Sequence, residues 1–207
     1  CLWSYASKHT WVTDNFEVQD LIYKREQPSK LIQRIKNCKV AFFSNYMWNW
    51  EYNKHIAEQL KIENPDIKIV FGGPQVTTRP QEEEFFKHHP YIDSISLTEG
   101  EESFVSILDA ILHKKPLKDV YEGERLVDLD IPSPYLTGVF DKIIAEAEEG
   151  QVWNGTLETN RGCPFTCSFC HTGSAYYHKL NKFSETRVKT EIDYIGKKCK
   201  ELKKKVK

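Results

Sequence analysis

Ile67-Lys68-Ile69-Val70-Phe71-Gly72-Gly73-Pro74 decides the fold of this 207-residue chain. The apolar run is strand-sized, and Gly-Gly-Pro breaks it. Working outward, short apolar runs alternate with helical patterns on both sides. Upstream, Ser29 caps a helix through Gln33-Arg34-Ile35, and Val40-Ala41-Phe42-Phe43 follows as a buried strand ending at Ser44-Asn45. A helix carrying Trp50, Ile56, Ala57 and Leu60 comes next, and Asn64-Pro65 stops it. Downstream, Pro80-Gln81-Glu82 opens a short helix, with proline in the first turn where a missing N–H costs least. Ile92 to Leu97 is a third strand. Thr98-Glu99-Gly100-Glu101 then turns into a helix whose Phe104, Ile107, Leu108, Ile111 and Leu112 recur at helical spacing. Strands alternating with helices predict an α/β fold built on a doubly wound, Rossmann-like parallel sheet.

Open parallel sheets bind ligands at the carboxyl ends of their strands. Those ends are Ser44-Asn45, Gly72-Gly73 and Thr98-Glu99-Gly100. Glycine lets a flat ligand approach the backbone closely. Ordinary strand-to-helix turns explain the same spacing equally well.

A second stretch carries chemistry of another kind. Arg161-Gly162-Cys163-Pro164-Phe165-Thr166-Cys167-Ser168-Phe169-Cys170 sets three thiols in a C-x3-C-x2-C pattern. Thiolates suit iron–sulfur clusters, and a closed four-iron cluster normally takes four of them. Three close thiols with no obvious fourth point to a cluster with one iron open, and an open position lets a metal site do chemistry. A structural zinc site completed by His171 is the alternative. Cys170 and His171 are adjacent, whereas zinc ligand pairs keep roughly two to four residues between them. A disulfide framework is disfavoured, because Cys1, Cys38 and Cys199 are scattered and a chain of this length buries a core without covalent staples.

The cysteine spacing and the aromatic Phe169 resemble the radical S-adenosylmethionine superfamily. The resemblance implies a 4Fe-4S cluster on Cys163, Cys167 and Cys170. Its open iron would chelate S-adenosyl-L-methionine and cleave it reductively to a 5′-deoxyadenosyl radical, with Phe169 contacting the adenine. Ser44-Asn45-Tyr46-Met47-Trp48-Asn49, Phe71-Gly72-Gly73-Pro74 and Glu99-Gly100-Glu101 resemble the cobalamin-binding-type domain that precedes the barrel in many of these enzymes. Carried over, Ser44, Gly72, Gly73 and Glu99 would line the corrinoid. The implied outcome is cobalamin-dependent methylation or another radical modification. One departure stands out: no histidine has Asp two positions earlier, as a cobalt-ligating Asp-x-His-x-x-Gly loop requires. That loop would precede Cys1, since Leu2-Trp3-Ser4-Tyr5-Ala6 resembles the helix that follows it.

The resemblance divides the chain into a cobalamin-binding-type domain over 1–117, a connector over 118–150, and the start of a radical-enzyme barrel over 151–207. Pro132-Ser133-Pro134-Tyr135-Leu136-Thr137-Gly138 resembles the subfamily's connector. Gly155 to Asn160 alternates like a first barrel strand, which would place the cysteines on the loop after a strand's C-terminus. His171, Tyr176, Tyr177 and His178 follow in that loop as packing or solvent-facing residues. From Ser184 onward, Val188, Ile192, Ile195, Cys199, Leu202 and Val206 form one apolar helical stripe. The lysines at 203–205 read better as the solvated, dipole-favoured end of that helix than as a nucleic-acid patch.

Composition narrows the rest. The net charge of −1 gives no general attraction to nucleic acid or to an acidic membrane surface. Apolar runs fall far short of the roughly 20 residues of a membrane helix. Metal-competent thiols imply a reducing compartment, hence the cytoplasm, and a reductant such as flavodoxin or ferredoxin. The chain reads as a fragment, starting at Cys1 with Met47 its only methionine. Only 57 residues follow Gly150, against roughly 200 or more for a barrel, so the chain alone is expected not to turn over. Two other classes compete with the enzyme reading: an iron–sulfur electron-transfer module, and a non-catalytic cobalamin- or small-molecule-binding module with a zinc site.

Overall fold

The computed structural model describes residues 1–19, 21–76, 82–146, 154–170 and 179–205. The chain divides into two compact units. One holds His9–Glu124, the other Cys1–Lys8 with Arg125–Lys207. Helix α1 (Leu2–Ala6) thus belongs to the second unit, and α2 (Thr10–Asn15) opens the first.

The first unit continues with α3 (Pro28–Ile35), β1 (Val40–Ser44), α4 (Trp50–Glu63), β2 (Lys68–Gly72), α5 (Glu82–His88), β3 (Ser94–Leu97), α6 (Glu101–Leu112) and β4 (Val120–Glu122). The four strands form one sheet in the order β1-β2-β3-β4, every pair parallel. Helix α3 starts with proline in its first turn and Gln27 at its N-cap. Ser29 therefore lies inside the helix rather than capping it. Residues 80 and 81, read as the opening of α5, lie outside the described residues.

Successive strand side chains point to opposite faces, and the burial follows. Ile69, Phe71, Ile95 and Leu97 pack with Leu31 and Ile35 of α3 and with Ile56 and Leu60 of α4. On the other face, Val70 and Tyr121 meet Ile107 of α6, and the Phe42 ring lies 4.4 Å from that of Phe104. Helices thus cover both faces. At the amino end of the strands, Asp93 pairs with Lys61 at 2.8 Å and accepts the Ile69 N–H at 2.7 Å.

The second unit contains α7 (Asp141–Ala145), β5 (Asn160–Arg161), β6 (Asn181–Lys182) and α8 (Glu185–Lys205). The strand expected over 155–160 shortens to two residues and pairs antiparallel with β6. The Phe183 N–H extends that ladder to the Thr159 carbonyl at 3.1 Å. A strand needs a partner for its backbone groups, and β6 offers only this short one. Barrel strands run parallel, and the β5–β6 pair is antiparallel.

The segment from Arg125 onward packs within this unit rather than hanging as an open linker. The Arg187 guanidinium donates to the Leu129 carbonyl at 3.3 Å and to the Ile131 carbonyl, and it pairs with Glu191 at 3.0 Å. Glu191 is buried as a result. The expected apolar stripe on α8 is therefore only partly covered: Val188, Ile195 and Cys199 are half-buried, but Ile192 is exposed. The side chains of 202 and 206 lie outside the described residues. Asp141 of α7 accepts from Tyr194 and pairs with Lys198 at 3.2 Å. The Tyr194 hydroxyl first, and the Lys198 ammonium second, hold its carboxyl below the usual carboxylate range. Among the described residues no helix is long and apolar enough to cross a membrane.

Candidate functional site

The carboxyl edge of the sheet brings three of the sequence-derived residues together. Ser44 and Gly72 are register partners, so β1 and β2 end level, and Gly73 follows at φ 94°. A side chain at Gly73 is excluded by the fold: its Cβ would lie 2.7 Å from the Asn45 nitrogen and 2.8 Å from the Asn45 oxygen. Gly72 differs, since a Cβ there would meet Ser96 at 3.5 Å, an ordinary contact. The expectation that both glycines admit a ligand is thus refined. Gly73 is needed by the neighbouring backbone, and only Gly72 has room for a side chain.

A ladder of asparagines fixes the loop after β1. Asn45 is fully buried. Its amide donates to the Phe43 carbonyl at 3.0 Å and the Gly72 carbonyl at 3.1 Å, and its Oδ1 accepts from Asn53 at 2.9 Å. The Ser44 carbonyl accepts from Asn49 at 2.9 Å and Asn53 at 3.3 Å. The Ser44 backbone is pinned while the residue itself stays exposed. Sequence reasoning singled out Ser44 from the Ser44-to-Asn49 stretch and gave no role to Asn45, Asn49 and Asn53, whose four-residue spacing was the available signal. Beyond them, the Tyr46 and Trp48 rings stack at 4.5 Å and 12°, and Met47 is 82% exposed.

Glu99 sits farther along the same edge, on the β4 side. A Cβ on Gly123 would fall 2.2 Å from the Glu99 carbonyl oxygen and 3.0 Å from Ser103 Oγ. Gly123 is therefore a second glycine dictated by packing, and sequence reasoning missed it. Thr98 is left-handed at φ 64°, its hydroxyl 2.6 Å from the Leu97 carbonyl and 2.7 Å from the Gly123 carbonyl. Among the described residues, the Ser96 and Ser103 hydroxyls are buried without a hydrogen-bond partner. Nearly all buried polar groups in folded proteins are satisfied, so two such orphans near one strand edge mark a place where a polar ligand group fits.

The cysteine loop lies in the other unit. The Arg161 side chain, 11% exposed, pairs with Glu158 at 3.0 Å, and Arg125 donates to the Arg161 carbonyl at 2.9 Å. Gly162 then turns the chain at φ 97°. Cys163 is half-buried, Cys167 and Cys170 are exposed, and none of the three is in a disulfide. The Cys170 N–H donates to the Cys167 carbonyl at 3.0 Å, closing a tight turn between the last two thiols. Phe169 is 91% exposed. Among the described residues no group of three or more His, Cys, Asp and Glu side chains is gathered closely enough to hold a metal. The three thiols are near in sequence but not converged. Such sites are normally assembled by the metal itself, because a preformed thiolate set is rare without it. Three thiols on one short loop, two of them exposed, fit a cluster by donor chemistry. His171, Tyr176, Tyr177 and His178 lie outside the described residues.

Residues 11–108 match the B12 binding domain. The match encloses β1, α4, β2, β3 and most of α6, and with them Ser44, Gly72, Gly73 and Glu99. The B12-binding domain thus coincides with the carboxyl-edge geometry, and the cysteine loop lies outside it. The chain is also homologous to curated methyltransferases. It is 32% identical over 211 residues to the cobalamin-dependent radical SAM methyltransferase TokK of Streptomyces tokunonensis, covering 94% of this chain and 31% of that protein. The 2-(S-pantetheinyl)-carbapenam-3-carboxylate methyltransferase of Streptantibioticus cattleyicolor is 30% identical over 210 residues, covering 93% of this chain and 30% of that protein. An uncharacterized methyltransferase of Pyrococcus horikoshii, PH0819, is 29% identical over 156 residues, covering 68% of this chain and 33% of that protein. The chain spans about a third of the length of these curated relatives. Coverage of 94% leaves only about a dozen residues outside the first alignment, so the cysteine loop falls within the aligned span.

Proposed function

We propose that this chain serves a cobalamin-dependent radical S-adenosylmethionine methyltransferase. The observation that carries the reading is the pairing, in one chain, of a B12-binding domain with a three-thiol loop inside the span aligned to such an enzyme. A four-iron cluster bound there would supply the electron that cleaves S-adenosylmethionine. Cys163, Cys167 and Cys170 hold it, and Phe169 offers an exposed ring and backbone to the adenine. In the B12-binding domain, Ser44, Gly72 and Glu99 line the corrinoid, with Gly73 shaping the turn between them. A corrinoid carries many amide groups, and the unpartnered Ser96 and Ser103 hydroxyls fit such groups. The external reductant is a flavodoxin or ferredoxin, and the compartment is a reducing one such as the cytoplasm.

The test is electron paramagnetic resonance of the chain, reconstituted with iron and sulfide without oxygen and then reduced. S-adenosylmethionine should shift the cluster signal, because it occupies the open iron. An unchanged signal would leave the cluster with a fourth protein ligand, and the electron-transfer reading would replace this one.

A further inference from the structure

Thr98 is a β-branched residue in the left-handed region at φ 64°, where such a residue is a genuine outlier. Strain of this kind persists only where the surroundings over-determine it, and it concentrates at ligand sites. Here the Thr98 hydroxyl lies 2.6 Å from the Leu97 carbonyl and, with its single hydrogen, donates across to the Gly123 carbonyl at 2.7 Å. The neighbouring Glu99 carbonyl occupies the space that any side chain on residue 123 would need. At the same turn Ser103, 3% exposed, keeps its hydroxyl without a partner. A strained residue and an unsatisfied hydroxyl in one turn are two separate costs, and among the described residues the Ser103 hydroxyl has no partner to offset its own.

We infer that Thr98 is a positioning residue of the corrinoid site. Its hydroxyl latches the turn between β3 and α6 onto the chain leaving β4, and that latch holds the Glu99 backbone and the Ser103 hydroxyl in place for the ligand. The inference rests on the reading of this edge as a corrinoid site. A purely structural Thr98 makes a different prediction: affinity would then follow stability alone, and Thr98→Gly, which relieves left-handed strain, would bind as well as wild type.

Hydroxocobalamin affinity and the thermal midpoint separate the two roles, measured on the same chain with Thr98→Gly, Thr98→Val and Thr98→Ser. The latch predicts that Thr98→Gly keeps or raises the midpoint while weakening binding about tenfold, the equivalent of one lost hydrogen bond. Thr98→Val, which keeps the branch and loses the hydroxyl, should weaken binding similarly. Thr98→Ser, which keeps the hydroxyl, should bind within about twofold of wild type. Equal affinity across all three folded variants would overturn the latch and leave the corrinoid site standing. Affinity that falls only in step with the midpoint would also overturn it, by making Thr98 structural. A folded wild-type chain that takes up no hydroxocobalamin would remove the corrinoid reading and the latch with it.

Discussion

Alanine at any one of Cys163, Cys167 or Cys170 is expected to abolish iron and sulfide uptake by the anaerobically reconstituted chain, while Cys38→Ala and Cys199→Ala should retain the wild-type content. The three motif thiols lie within one eight-residue stretch, and the last two are exposed and joined by a backbone turn. A cluster needs each of them, because losing one thiolate leaves two protein ligands for a group that normally takes four. Cys38 contacts Gln19 in the other unit, and Cys199 lies on α8, so neither belongs to the loop. Metal and sulfide analysis with the visible absorbance of the cluster reads the result. Stoichiometric zinc without sulfide in wild-type protein would favour the structural zinc site.

Gly123→Ala and Gly73→Ala should each destabilise the B12-binding domain by about 3 kcal/mol, within the range for overpacking and left-handed strain. Their causes differ. The Gly123 Cβ would lie 2.2 Å from a backbone oxygen, so the β3–α6 turn must move. Gly73 combines φ 94° with contacts of 2.7 and 2.8 Å to Asn45. Gly72→Ala is the control: its Cβ meets Ser96 at 3.5 Å, and stability should change by less than about 1 kcal/mol. Urea unfolding midpoints at unchanged slope measure all three. Equal midpoints for the Gly72 and Gly123 variants would show that the turn is looser than its geometry.

How much of this was legible depends on where the signal lies. β1, β2 and β3 announce themselves by apolar runs ending in polar or glycine residues, and α4 and α6 by periodic Ile and Leu. β4 is three residues long, too short for a periodic signal, and it fell into the expected connector. The stripe on α8 was legible as a helix face, and beside it Arg187 reaches backbone carbonyls of the preceding segment. That contact buries a charged pair, and Ile192 of the stripe is exposed at 50%. Ser44, Gly72 and Gly73 were legible as strand ends because polar and glycine residues close their apolar runs. Gly123 was not, because its role comes from a close approach to Glu99, which is distant in sequence. Thr98 looked like any turn residue, and its backbone conformation is invisible in a sequence. The cysteine spacing states the donor chemistry, while the folded chain leaves the three thiols unconverged.

The most direct measurement is a titration of the folded chain with hydroxocobalamin, followed by absorbance, for wild type and Gly72→Leu. Gly72 is the suitable probe, since a side chain at Gly73 would strike Asn45 first. Wild type should bind saturably at one per chain, with Kd in the tens of micromolar or tighter, about −6 kcal/mol. Gly72→Leu should retain its cooperative unfolding and bind at least about tenfold more weakly. Folded wild-type protein that binds no hydroxocobalamin at these concentrations, or a Gly72→Leu variant that binds as well as wild type, would contradict a corrinoid at the carboxyl edge of this sheet.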